Sequence, residues 1–449
     1  MKDRLHLYLI SWNCARIPGV TSTFTEHILG GIPDGSPTPD ILVLALQEAA
    51  PLSYAFLGGK YLDSYFQGYI TAIQNATRVV LGGEFSLIGS NNVGMTVVLV
   101  FVKDENLDKV KTVDYGGVGC GLWDMGNKGG VGVKIRYEVP KGDNDDWSDI
   151  GVVELNFVGA HLAPHEWLVE RRNQDWETIV RGLVFEKGQQ PQAEDGSRPL
   201  LEGDTEMETT SPDTRNVGIY SPNAHTFLMG DLNYRTALSR PTETDRLLFP
   251  QPRNQSSDVS KLSEGDQCHL ERVSGRALQG FTEAQIHFPP TYKYKVKKGR
   301  QYNSSHWEWS GNRWPSWTDR ILFLPWNSVN GEGANDTQDE IVVHRYTSIP
   351  QIMDSDHKPV TCYLSIPAKP LYVRHDASSA ADALRNRDIR FHPPYPINPR
   401  WKEQRAAARV REVVVGIAAF LTTTNTGIGI LIGVVGGFWG LWWLFAGLG

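Results

Sequence analysis

Phe227-Leu228-Met229-Gly230-Asp231-Leu232-Asn233-Tyr234-Arg235 is the stretch from which the rest of the chain can be read. A short apolar run, Phe227 to Met229, stops at Gly230 and then presents Asp231 and Asn233. Two residues apart on an extended segment, those side chains lean the same way out of the strand's end. A carboxylate beside a carboxamide suits holding a water and a phosphate oxygen together. Taken alone, Gly-Asp is more simply a turn closing a buried strand. Its meaning depends on what else converges on it.

Working outward, other apolar runs end in the same way. Asn13 follows Leu7 to Trp12, Glu48 follows Val43 to Leu46, and His161 follows Phe157 to Ala160. Asp319 lies in Trp317-Thr318-Asp319-Arg320-Ile321-Leu322, and Asp356-His357 precede Pro359-Val360-Thr361. Singly, each has a bland reading: Asn13 a turn former, Glu48 a helix-initiating acid, His161 a core histidine. Collected at strand ends they mean more, because strand ends on one rim of an α/β core converge in space. The expected strands are Leu5–Trp12, Asp40–Leu46, Val93–Lys103, Gly130–Tyr137, Val152–His161, Arg320–Pro325, Glu340–Thr347 and Lys358–Ile366, besides the one ending at Asp231. Helices are expected over 54–80, with a break at Gly58-Gly59, over 166–185, and in pieces over 242–263. Many strands with few long helices predict an α/β fold, a two-sheet β-sandwich flanked by helices. The stretch 186–223, rich in Glu, Asp, Pro, Ser and Thr, reads as a disordered insertion.

The chemistry this set supports is metal-assisted phosphoryl hydrolysis. One hard carboxylate, Glu48, with an amide oxygen nearby and water for the rest, suits Mg²⁺, which borrows substrate phosphate oxygens. Zinc would want more His or Cys. Asp231 can orient or deprotonate the attacking water, Asn233 can fix a phosphate oxygen, and His357 can donate to the phosphate with Asp319 holding its ring. No serine or cysteine nucleophile context occurs, so direct attack by water is preferred.

The 449 residues carry a formal net charge of -7, which argues against nucleic acid as a partner. Cys14, Cys120, Cys268 and Cys362 are scattered without CxxC spacing, as expected of reduced thiols in a cytosol-facing protein. The basic, apolar start could suggest a signal peptide, but no small-residue cleavage site follows it, and cleavage near Arg16 would remove Asn13.

SWN, LQE, GNKGGVGV, GAHL, GDLNYR, FPPTYKY, WTDRIL and SDHKPV occur in that order between Leu5 and Ile366. With them the chain resembles the inositol polyphosphate 5-phosphatases of the endonuclease/exonuclease/phosphatase superfamily, as a tail-anchored member of fungal type. The resemblance implies that Asn13, Glu48 and Asp356 serve the magnesium and that Asp231 and Asn233 handle water and phosphate. It also implies that His161 stabilises the transferring phosphoryl and that Asp319 orients His357. Lys128, Arg235, Tyr292, Lys293 and Lys295 would bind neighbouring ring phosphates, although a solvated basic loop is the plainer reading of 293–298. Cys14-Ala15-Arg16 departs from the family's usual small or polar residues, and Arg16 could shift the metal's electrostatics. The expected activity is removal of the 5-phosphate from a membrane phosphoinositide, phosphatidylinositol 4,5-bisphosphate. A sphingomyelinase-like phosphodiesterase of the same superfamily and an inactive phosphoinositide-binding scaffold are the alternatives. WTDRIL, and lysines where choline would sit, speak against the first; a filled set of polar positions speaks against the second.

The organisation expected is a catalytic domain over 1–366, a linker with a basic juxtamembrane segment over 367–412, and a hydrophobic tail anchor over 413–449. No charged residue occurs from Val413 to Gly449, and Gly427 to Leu448 is long enough to cross a bilayer, which takes about 20 apolar residues. Trp439, Trp442 and Trp443 would sit near an interface, and Gly429, Gly433 and Gly437 form a small-xxx-small face. Arg400, Lys402, Arg405, Arg409 and Arg411 place the preceding side in the cytosol by the positive-inside rule, on an endoplasmic reticulum membrane. Thr422 to Thr426 interrupts the run, leaving one span or a short hairpin. The Trp307-Trp309-Trp314 region fits either a membrane-touching loop or an aromatic satellite cluster. No obligate protein partner is expected.

Overall fold

Along Arg4–Asn13 (β1), Leu5, Leu7 and Leu9 face one way and Tyr8, Ile10 and Trp12 the other, and both sets are buried. That pattern arises when one face of a strand meets a second sheet and the other meets helices. The computed structural model describes residues 4–17, 20–140, 151–188, 217–250, 259–296, 308–325, 340–371 and 388–446. After β1 come α1 (Ser22–His27), β2 (Ile41–Gln47), α2 (Leu52–Leu57), α3 (Lys60–Ala76), β3 (Phe85–Val93), β4 (Thr96–Lys103), β5 (Val110–Gly119), β6 (Gly129–Val139) and β7 (Gly151–His161). The chain continues through α4 (Val169–Gly182), β8 (Glu186–Lys187), β9 (Ala224–Asp231), α5 (Val259–Glu264), α6 (Gln267–Val273), β10 (Asp319–Phe323), β11 (Val342–Ser348) and β12 (Val360–Pro367). Two helices follow, α7 (Trp401–Thr423) and α8 (Asn425–Ala446).

The strands form two six-stranded sheets, ordered β11-β12-β1-β2-β4-β3 and β10-β9-β7-β6-β5-β8. Between them lies the main core, with Leu7, Leu9, Val43 and Val98 facing Val131, Val133, Phe157 and Phe227. A second cluster, under α1 and α3, holds Ile10, Trp12, Leu44, Tyr69 and Ile73. A third, under α4 and α6, holds Val158, Trp176, Leu228 and Phe281. The sandwich expected from the sequence is therefore present, with β3 and β5 as strands that the sequence reading lacked.

Register positions the chemistry. Strands β1 and β2 are a parallel pair, with Asn13 beside Gln47, as are β7 and β9, with His161 beside Asp231. Strand β6 places Gly129 opposite His161, and β10 places Asp319 opposite Asp231. One row across the second sheet thus reads Gly129, His161, Asp231, Asp319. Gly230 lies at φ 155, where a Cβ would strike the Ala160 carbonyl, so glycine is what lets β9 lie this close before Asp231.

Two expectations about the outer segments change. Both described ends of 186–223 belong to the domain: Glu186 and Lys187 pair with β5, and Ile219 and Tyr220 are buried. Residues 189–216 lie outside the described residues. The described part of the expected linker is likewise docked, since buried Arg390 donates to the Leu324 and Pro325 carbonyls and Asn398 N to Arg181 O. Among the aromatic residues, Trp309 stacks on Tyr294 at 4.3 Å and Trp314 packs on Phe249, so these two form an aromatic cluster; Trp307 lies outside the described residues.

Among the described residues no single helix is long and apolar enough to cross a membrane, but α7 and α8 meet that requirement together, with an 86° bend between them. The bend follows from the threonines: Thr424 is extended, and its Oγ1 accepts from Gly427 N at 3.0 Å, so it ends α7 and caps α8. The break falls within the Thr422–Thr426 interruption expected from the sequence, and the described part of Gly427–Leu448 lies in the single helix α8.

Candidate active site

The rim row places four polar groups within reach of one another. Asp231 Oδ2 accepts from Asn13 Nδ2 at 2.8 Å, lies 3.3 Å from His161 Nε2 and stands 4.0 Å from His357 Nε2. Asp231 Oδ1 accepts from Asn233 N at 3.1 Å. Asn233 is left-handed (φ 57), which turns the chain back so that its Nδ2 donates to Leu162 O. A left-handed non-glycine residue at such a place is stored strain of the sort found where side chains must be aimed. Glu48, at φ 49 on leaving β2, is a second instance.

His357 is fixed from three sides. Its Nδ1 lies 2.9 Å from Asp319 Oδ2, its ring packs on Tyr292 with centroids 4.5 Å apart, and its carbonyl accepts from Trp12 Nε1 at 3.2 Å. Asp319 Oδ2 also accepts from the hydroxyls of Thr291 and Thr318, at 2.7 and 2.9 Å. Burial alone would lower the pKa of His357, but Asp319 and then Asp231 outweigh it and raise the imidazole to about 10. It is therefore a cation at neutral pH, with Nδ1–H given to Asp319 and Nε2–H facing Asp231. Burial pushes the Asp231 carboxyl up, yet His357, followed by His161 and Lys128, holds it well below the usual carboxylate range. Burial, together with Lys128, lowers His161 and keeps it neutral. Its Nε2 is shared between Lys128 Nζ and Asp231, and its Nδ1 has no partner among the described residues.

The basic residues divide. Lys128 enters the centre; its surroundings push the ammonium down to about 8, against the pull of Asp231 and Glu48. Arg235 stacks over Tyr292 at 4.3 Å, its Nε donates to Asn233 O, and its buried Nη1 has no partner among the described residues. Lys293 pairs with Asp356 at 2.7 Å. Lys295 is exposed and pairs with Glu308 at 3.1 Å, outward from this group. The sequence reading lacked His165 and Arg313, which the structure adds beside them. Arg313 Nη2 lies 3.3 Å from His165 Nδ1 and its Nε 3.7 Å from the buried Glu166 carboxylate. The HLAPHEW run after β7 held the only sequence signal for them, a second histidine four residues after His161.

A divalent cation can be tested against the donors present. Ligand atoms of Asp231, Asp319 and His357 lie within 4.8 Å of one another. The His357–Asp319 hydrogen bond, the two threonine hydroxyls on Asp319 and the His357 Nε2 facing Asp231 at 4.0 Å mark them instead as a relay. Glu48 fits better: it is partly exposed at the rim, and its recorded partner is the Nε of the exposed Arg16, at 2.8 Å. The other oxygen donors of this rim are Asn13, whose backbone carbonyl accepts from the Ser355 hydroxyl and whose strand neighbour is Gln47, and the half-buried Asp356 next to Ser355. These are hard oxygen donors, in number suited to an ion that keeps several waters. Burial raises the Asp356 carboxyl, but His357 and Lys293 reverse that and keep it ionised.

This fold and this rim define a class. The chain matches endonuclease/exonuclease/phosphatase family 2 over residues 10–363, and it belongs to that family. Within it the curated relatives are phosphoinositide and inositol phosphate phosphatases. The chain is 30% identical over 338 residues to the polyphosphatidylinositol phosphatase INP53 of Saccharomyces cerevisiae, covering 75% of this chain and 24% of that one. It is 28% identical over 376 residues to the type II inositol polyphosphate 5-phosphatase 15 of Arabidopsis thaliana, covering 80% and 30%. The chain thus spans about a quarter to a third of the length of these relatives. Among solved structures, the inositol polyphosphate 5-phosphatase domain of SPsynaptojanin, in complex with inositol (1,4)-bisphosphate and calcium ion, shares the fold with a TM-score of 0.56. It is 22% identical, with 91% of this chain and 93% of that one covered.

Proposed function

We propose that this protein is a Mg²⁺-dependent phosphoinositide 5-phosphatase acting on phosphatidylinositol 4,5-bisphosphate by direct attack of water. The observation that carries the reading is the buried line Asp319–His357–Asp231, flanked by Asn13 and His161, in a chain whose relatives bear phosphatase names. Asp231 stays ionised at every physiological pH and orients the water. Its weak basicity is tolerable, because a loose phosphoryl-transfer transition state asks little of its base. The imidazolium of His357 donates from Nε2 to a non-bridging phosphoryl oxygen, and Asp319 keeps both its charge and its aim. The bond from water oxygen to phosphorus forms as the bond from phosphorus to the inositol 5-oxygen breaks; Asp231 takes the water's proton, and the departing 5-oxygen gains its proton from solvent. Asn233 and His161 hold the phosphoryl group. Glu48, Asn13 and Asp356 would hold magnesium, which when bound neutralises phosphate charge and stabilises the leaving alkoxide. Arg235, Tyr292, Lys293 and Lys128 bind the neighbouring ring phosphates, and Lys295 adds to the field from the rim.

The uncharged segment from Val413 onward, the end of α7 and all of α8, associates the enzyme with a membrane, that of the endoplasmic reticulum, with the catalytic domain in the cytosol. The basic residues 400–411 before the apolar segment support this orientation. A tethered enzyme meets a lipid at high effective concentration, which supports a lipid over a soluble substrate. Phosphate release from a panel of lipid and soluble inositol phosphates tests the reading. Release from phosphatidylinositol 4,5-bisphosphate, lost in chelator and restored by Mg²⁺, is expected; hydrolysis of sphingomyelin instead would overturn it.

A further inference from the structure

Helix α7 begins well beyond residues 10–363, the part of the chain that matches the family, yet it is built into the catalytic domain. Arg409 donates from Nη1 to Phe56 O at 2.5 Å and from Nη2 to Leu57 O at 2.7 Å, satisfying carbonyls at the end of α2. Gly416 lets the two helices touch, since a Cβ there would stand 3.0 Å from that of Phe56. Phe420 packs on Tyr54 and Tyr61 at 5.9 and 5.8 Å. The contact with most consequence is Glu412, a carboxylate that is 1% exposed. Arg405 and Arg409 neutralise it at 2.8 and 3.3 Å, and its Oε1 accepts from Gly126 N at 2.8 Å. Arg411 donates to Trp123 O at 2.9 Å, three residues earlier in the same loop.

That loop, 120–128, ends at Lys128. It is closed on itself by Cys120 N to Lys128 O at 2.7 Å and Gly121 N to Met125 O at 2.9 Å. On its inner side Gly126 is pressed against Val93 and Gly94, where a Cβ would find no room. On its outer side the fixed point is Glu412. A buried carboxylate is costly unless paired and hydrogen-bonded, so this one has a defined position to impose. We propose that Glu412 is a positioning residue of the active site: α7 holds the 120–128 loop, and through it sets Lys128 against His161 and the substrate phosphate. The helix leading to the membrane segment is then part of the catalytic architecture and more than a tether. The proposal rests on the phosphatase reading for its kinetic test alone.

The experiment uses the full chain in detergent with a water-soluble inositol trisphosphate, so that membrane attachment cannot contribute. Glu412→Ala should lower kcat/KM roughly tenfold, the size of coupling expected between residues in one network. Glu412→Gln, whose amide oxygen still accepts from Gly126 N, should stay within about twofold of wild type. In a Lys128→Met background Glu412→Ala should cost little more, because the group it positions is gone. Amide exchange at Gly126 should quicken in Glu412→Ala and not in Glu412→Gln. If Glu412→Ala fails to fold, Gly416→Leu, which wedges α7 from α2 and leaves Glu412 in place, should reproduce the kinetic and exchange changes. Wild-type kcat/KM with unchanged exchange, or an equal loss with and without Lys128, would overturn the proposal. Should the wild type release no phosphate from any inositol phosphate, the phosphatase reading alone fails, and Gly126 exchange still decides the role of Glu412.

Discussion

Replacing Asp319 with Asn tests the relay where it is most exposed to refutation. The carboxylate lies 2.9 Å from His357 Nδ1 and is the largest favourable influence on an imidazole raised from 6.5 to about 10. At about 1.36 kcal/mol per pH unit, that shift is on the order of 5 kcal/mol in favour of the cation. Asn keeps the shape and can still accept from Nδ1–H, but it removes the charge. Burial then dominates and the imidazole pKa falls, to roughly 7 or below. Because the raised group is active as a cation, activity is present below its pKa and lost as pH rises through it. Wild type should therefore hold kcat/KM across neutral pH and lose it on a far alkaline limb. Asp319→Asn should move that limb acidward by about three pH units and lower kcat/KM at pH 8 by about 10² to 10⁴. A bound divalent cation shifts both limbs together, so the difference at saturating Mg²⁺ is what is read. Stability follows the same sign: the imidazolium's contribution is full below pH 6.5 and lost on rising through about 10, so Asp319→Asn should destabilise more at pH 7 than at pH 10. Phosphate release against pH, with thermal unfolding beside it, measures both. An unchanged limb and unchanged kcat/KM in the variant would refute the relay.

Asp231→Ala should cost at least about 10³ in kcat with the fold retained, as judged by circular dichroism, because Asp231 carries a rim function and packs no core. Chelator should abolish wild-type activity and Mg²⁺ restore it, and full turnover in chelator would remove the metal from the mechanism. Lys293→Ala should weaken hydrolysis of substrates bearing a 4-phosphate about tenfold and spare one without it; equal losses would reassign Lys293 to general electrostatics. The sequons at Asn75, Asn254, Asn303 and Asn335 should remain unglycosylated in the native protein, and an endoglycosidase-sensitive mass shift would place the catalytic domain on the luminal side.

Most of the rim was legible because its strands are buried on both faces, which writes them as solid apolar runs with abrupt polar ends. β1, β2, β7 and β9 are of this kind, and Asn13, Glu48, His161 and Asp231 stand at or next to their ends. Strands β3 and β5 were illegible for the converse reason. Their sequences, FSLIGSNNV and VKTVDYGGVG, carry the Gly, Asn, Ser and Asp that ordinarily mark loops. They are strands because their partners supply register and their few apolar residues, Ile88 and Val113 among them, reach the shared core. His165 and Arg313 escaped notice because 148 residues separate them and only the fold brings them together.

Glu412 shows a different limit. In sequence it is an isolated acid among arginines, and the plain reading of residues 400–411 is a basic stripe facing lipid headgroups. In the structure two of those arginines turn inward onto Glu412, one of them also onto the end of α2, and a third donates to the Trp123 carbonyl. Part of the charge that would set orientation at a membrane is thereby committed to the domain. The two demands are compatible because a helix offers both faces within a single turn. Arg400 and Lys402, on exposed positions with acidic partners at the surface, remain on the outer side. A helix docked in this way contacts both the end of α2 and the loop that leads to Lys128, so its position bears on the active-site rim. Under the proposed membrane attachment, the contacts of α7 would couple the apolar segment to the loop that carries Lys128.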